Sequence, residues 1–81
     1  MGRKELSQIS VGINADRNET VVELQILDSR GAMIAVRTFR GLTKGFHSLK
    51  FTDLNYLANG RYILQIKTSN GAVNHANLIK Q

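Results

Sequence analysis

Cysteine, proline and tryptophan are all missing from this 81-residue sequence. Without cysteine there is no disulfide to staple a small core, and no thiolate to act as nucleophile or ligand. Without tryptophan, and with only two tyrosines and three phenylalanines, few rings are left to stack on sugars or bases. No apolar run approaches the ~20 residues that a membrane span needs. The opening "MGRKELSQIS" has basic residues with no apolar stretch behind them, so it does not read as a signal peptide. Met1-Gly2 reads as an initiator left by cutting a fragment from a longer protein. Residues 1–8 are then an extension or remnant, and 9–81 the domain. A chain this short buries only about 60–65% of the surface its unfolded form exposes. Its core is thin, with little room for a deep pocket.

What is present begins with charge. Eleven Lys and Arg against six Asp and Glu give +5. The cations Arg3, Lys4, Arg17, Arg30, Arg37, Arg40, Lys44, Lys50, Arg61, Lys67 and Lys80 are spread, with no run longer than two. That spacing reads as solvated faces rather than a nucleic-acid patch. A small basic nucleic-acid-binding β domain stands as an alternative.

Period-2 alternation dominates the chain, and no segment sustains a helical period. Strands are expected near 7–14, 20–28, 32–40, 46–52, 61–68 and 72–80. Val22, Leu24 and Ile26 share one face, as do Leu49 and Phe51 with His47, and Tyr62, Leu64 and Ile66. These residues form the expected core. "DSRG" at Asp28–Gly31 suits a turn whose glycine takes the left-handed region, and "TSNG" carries the Asn-Gly hairpin signal. "GLTKG" is a glycine-bounded loop, and "TDLNYLANG" a longer connection with one helical turn. Six short strands without helices predict an all-β, immunoglobulin-like antiparallel sandwich of six or seven strands, with a small barrel as second choice.

Nothing in this pattern performs catalysis or calls for a cofactor. His47 and His75 lie on different strands without ligand spacing, and His47 reads as a packed, hydrogen-bonded histidine. Glu5, Asp16, Glu19, Glu23, Asp28 and Asp53 form no acid–base pair, and Asp28 and Asp53 stand where turns use aspartate. Ser7, Ser10, Ser29, Ser48 and Ser69 lack a nucleophile elbow. Asn14, Asp16 and Asn18 alternate as calcium ligands can, but Arg17 and the want of a downstream glutamate favour a polar hairpin loop. Asn18-Glu19-Thr20 is a glycosylation sequon.

The order of elements adds a further reading. "VVELQILDSRGAMIAV", "LNYLANGRYILQIKTSNG" and the terminal "NLIKQ" together resemble the C-terminal sorting domains of type IX secretion cargo. The resemblance covers roughly Ile9 to Gln81, and the spacing of Leu54, Leu57, Gly60 and Tyr62 is its most specific part. It implies an immunoglobulin-like domain at the end of a large secreted enzyme or adhesin of a Bacteroidetes-type bacterium. That domain routes its cargo through the periplasm and outer membrane to the cell surface, where a sortase-like protease removes it. It implies no catalysis, no metal, no nucleic acid and no direct membrane insertion. The candidate sorting-motif residues are Asp28, Gly31, Leu54, Leu57, Gly60, Tyr62, Leu78, Ile79 and Lys80. The family's first strand carries a Pro-Asn-Pro motif that this proline-free chain does not have. The fragment therefore starts after that strand, or the chain is a divergent relative. An accessory adhesion module on a surface enzyme is a further alternative.

Two structural expectations follow. Tyr62 is buried and Lys80 exposed. The edge "SQISVGIN" has no proline, inward charge or cover to blunt it, so a homodimer through a shared sheet edge is expected unless residues 1–8 fold back over it.

Overall fold

The chain's structure, a computed structural model, describes residues 8–54 and 56–80. The described residues form six strands and no helix: β1 (Ile9–Ala15), β2 (Thr20–Asp28), β3 (Met33–Leu42), β4 (Gly45–Phe51), β5 (Gly60–Thr68) and β6 (Val73–Lys80). All pairings are antiparallel. They make a two-stranded sheet, β1-β4, and a four-stranded sheet in the order β3-β2-β5-β6. The expected sandwich is present, with strand ends moved by one or two residues. The expected start of β1 at residue 7 lies outside the described residues.

Alternation decides what faces inward. Val22, Leu24 and Ile26 of β2 lie in register with Phe39, Arg37 and Ala35 of β3, and β5 brings Leu64 and Ile66 to the same face. Leu49 and Phe51 of β4 and Val11 of β1 close the core from the other sheet. Phe51, Leu24, Ile26, Leu54 and Val22 are the largest side chains fully removed from water. Each stabilises the fold by roughly 1.5–3 kcal/mol. Ile66, expected inside, is only half-buried. A two-stranded sheet cannot cover a four-stranded one. Inward-facing Asn74 and Ala76 of β6 consequently remain exposed, and Arg37 of β3 lies at the uncovered margin with its guanidinium 5.1 Å from the Phe51 ring centroid.

The turns at the two long hairpins are built alike. In β2–β3, the Gly31 N–H donates to the Asp28 carbonyl (3.0 Å) and the Asp28 N–H to that of Ala32 (2.9 Å). In β5–β6, Gly71 donates to Thr68 (2.9 Å) and Thr68 to Ala72 (3.0 Å). Gly31 has φ +88°, a region that side-chain-bearing residues enter only at a cost. β2–β3 also carries irregularities at Thr20/Val22 and Ile26/Leu27, the second leaving Ile34 as an additional residue opposite Leu27. None of the described residues of "TDLNYLANG" is helical, against the expected helical turn. Its one described turn is closed by the Leu57 N–H donating to the Leu54 carbonyl (3.1 Å).

Candidate functional site

Several polar groups capable of chemistry are taken up by local structure. His47 is half-buried and its Nε2 lies 2.7 Å from the Thr43 carbonyl oxygen, as a packed histidine should. His75 is exposed and pairs with Gln65 (3.2 Å). Asn18 accepts the Lys44 backbone N–H (2.9 Å), whereas Asp16 accepts from Asn70 (3.4 Å) and lies 3.7 Å from Arg17. Their oxygens thus serve different partners, and no metal-holding cluster occurs among the described residues. The loop they form crosses between the two sheets rather than closing a hairpin. Glu5 and Ser7 lie outside the described residues.

Asp28 has a clear structural task. Its Oδ1 accepts the N–H groups of Arg30 and Ala32, both at 2.9 Å. The Ala32 amide foremost, with the Arg30 amide and guanidinium, holds its carboxyl below the ordinary carboxylate value. Those donors favour the charged form.

The Leu54, Leu57, Gly60, Tyr62 segment is likewise architectural. The turn at Leu54–Leu57 directs both leucines into the core. Tyr62 is 8% exposed, and its hydroxyl donates to the Ala58 carbonyl oxygen at 2.5 Å. A tyrosine at the start of a strand, bonded to backbone four residues upstream, is the corner that immunoglobulin-like sandwiches use. Gly60, at φ +149°, opens β5 opposite Lys80.

Register gathers residues that are far apart in sequence. Asp28 pairs with Tyr62 and Tyr62 with Leu78, while Arg61 pairs with Ile79 and Gly60 with Lys80. Most of the expected motif therefore meets at one end of the four-stranded sheet. The directions of its side chains differ. Leu54, Leu57 and Tyr62 are buried and Leu78 is half-buried, whereas Ile79 is 60% exposed. Of these residues, Ile79 is the one that presents a large apolar side chain to solvent.

Lys80 corrects the sequence reading, being 5% exposed rather than on the surface. It shares parity with Leu78 and so faces inward, opposite a glycine that has no side chain to compete for the space. Lysine can bury its methylenes and still deliver its ammonium to the surface.

Sequence reasoning also missed the outer face of the same sheet. Met33, Ile34 and Val36 are exposed, beside half-buried Leu27 and Ile63. The signal was readable where alternation lapses: Ile26-Leu27, Met33-Ile34, Ile63-Leu64 and Leu78-Ile79 place apolar residues on both parities. Phe46 and Tyr56 are exposed too, one on β4 and one in the β4–β5 connection. The shortage of exposed rings is thus less complete than the core assignments of Phe51 and Tyr62 implied.

No curated protein matches the chain in sequence. A family model described as a secretion system C-terminal sorting domain matches residues 6–81.

Proposed function

Since the chain belongs to the family of type IX secretion C-terminal sorting domains, we propose that it is a folded, non-catalytic tail that takes a larger cargo through the outer membrane to the cell surface. Membership makes it a C-terminal sorting signal, and the cargo a secreted or surface-attached protein. The finer reading is that the machinery recognises the tail as a folded module at the β5–β6 end of the sheet, before a sortase-like protease removes it.

The observation that carries this reading is the way the motif is divided. Leu54, Leu57 and Tyr62 are occupied in holding the corner, while six of the eight β6 residues are exposed and β6 pairs only with β5 among the described residues. An ordered terminal strand with an open edge can be recognised by strand addition or by its outward side chains.

The test is a periplasmic reporter carrying residues 1–81 at its C-terminus in a type IX-competent cell. The reporter should reach the surface. Ile79→Glu, an outward change that leaves stability within about 0.5 kcal/mol, should reduce delivery with the fold intact. Unaltered delivery of Ile79→Glu would show that this face of the terminal strand is not read. Deleting residues 78–81 is a poorer test, because it also removes half-buried Leu78 and buried Lys80.

A further inference from the structure

The outer face of the four-stranded sheet is not uniformly polar. One row across it runs Met33, Leu27, Ile63, Asn77, and the row beside it pairs Arg61 with Ile79. Between them lies a shallow groove of about 320 Å³ whose lining includes Ser29, Arg61, Ile63, Asn77 and Ile79. On the other side the apolar zone ends at the row Val36, Gln25, Gln65, His75, where His75 and Gln65 are bonded to each other. The result is an apolar strip about three strand spacings wide, or roughly 14 Å, at one end of a sheet whose other rows are mainly polar.

The charges on its rim have one predominant sign. Arg61 is exposed within the groove, and Arg30 stands at the adjoining turn with its side chain 87% exposed. Asp28, 3.5 Å from Arg30, is the carboxylate of this turn, and its Oδ1 is already engaged by two backbone amides. Glu23 lies further along the sheet, flanked by Thr38 and Lys67. A second copy of this chain is a poor occupant. A two-fold contact would set the arginines of one strip against those of the other, in a molecule already carrying +5. A partner with carboxylates meets complementary charge.

We propose that this strip is a docking surface for a protein segment in which an apolar side chain is flanked by carboxylates. The apolar side chain enters the groove between Ile63 and Ile79, and the carboxylates pair with Arg61 and Arg30. The width favours a polypeptide, since a single small ligand would fill the groove and leave Met33, Ile34 and Val36 uncovered. The strip shares Ile79 with the face proposed above to be read in sorting, but the inference does not rest on that reading: its partner is defined by chemistry, and the peptide titration tests it without any export assay.

The experiment is a titration of the isotope-labelled chain, followed by amide resonances, with two synthetic peptides. One alternates isoleucine with glutamate; its twin alternates isoleucine with lysine. The acidic peptide should shift the amides of Leu27, Met33, Ile63 and Ile79, and more weakly as salt rises. Its twin should leave them in place. Arg61→Glu should weaken the acidic peptide about ten-fold, the equivalent of 1.4 kcal/mol, and allow the lysine peptide to bind. Lys50→Glu, on the outer face of the small sheet, should change neither. Circular dichroism of each variant checks that the sandwich persists. Absence of shifts at millimolar peptide, equal binding of both peptides, or shifts centred on β1 and β4 would overturn the proposal. So would self-association of the wild-type chain that Ile79→Glu abolishes.

Discussion

Replacing Tyr62 first by phenylalanine and then by alanine separates the two parts of the corner. Tyr62→Phe removes one hydroxyl, which donates to the Ala58 carbonyl at 2.5 Å. Such a bond contributes about 0.5–1.5 kcal/mol net. Ala58 is exposed, so water can take over its carbonyl, and the lower half of that range is expected. Tyr62→Ala also deletes a ring that is packed into the core with Leu54, Leu57 and Leu64. Large-to-small aromatic changes of this kind cost about 3–5 kcal/mol. A chain of this length has a total stability on the order of 4–12 kcal/mol. The alanine variant should therefore sit close to unfolding, whereas the phenylalanine variant should melt only several degrees lower, about 4–8 °C per kcal/mol for a domain of this size. Urea titrations of the three proteins, read by circular dichroism, supply the comparison, and a common slope would show that the same surface is exposed in each. If Tyr62→Ala loses no more than Tyr62→Phe, the ring is not part of the core and the account of the corner fails.

Three other perturbations test separate parts of the structure. Lys80→Ala should cost about 1 kcal/mol through lost packing of the stem, while Lys80→Met, which retains much of the chain length, should stay near wild type in the same titrations; an alanine variant indistinguishable from wild type would contradict the burial of Lys80. The Asp28 carboxyl is held below its ordinary value, so its contribution is complete above the unfolded-state pKa of about 3.9 and is lost as pH falls through its lower folded value. Asp28→Asn should accordingly melt below wild type at neutral pH and converge with it in acid, and a difference that stays constant with pH would rule out the charge as the cause. β1 pairs only with β4 among the described residues, and Ile9, Val11 and Ile13 alternate along it, so light scattering at high concentration should detect a dimer through this edge; a monomer throughout would exclude it.

Much of this fold is legible in the sequence because the controlling interactions are local. Period-2 alternation marks most of the strands, β1, β2, β4 and β5 above all, and Asp28 and Asn70 mark the two hairpins, where each side chain accepts an N–H two residues on: Arg30 for Asp28, Ala72 for Asn70. The Leu54, Leu57, Tyr62 spacing is readable as well, since a short turn and a strand start suffice to aim all three inward. Parity alone would also have turned Lys80 toward Tyr62's face and Ile79 away from it, had register been followed to the last residue.

Tertiary structure decided how deeply each inward or outward residue is covered. Alternation assigns a face to a side chain but does not say what lies over that face. With two strands packed on four, β2 is sealed while the inner faces of β3 and β6 are only partly closed. Ile66 is therefore half-buried and Asn74 and Ala76 remain exposed on their inward face. The joining of Asp28, Tyr62 and Leu78 in one row, and of Met33, Leu27 and Ile63 in another, depends on strand register across separate hairpins. No local pattern contains that information, because cross-strand neighbours are set by which sheet each strand joins and where its turns and bulges place it.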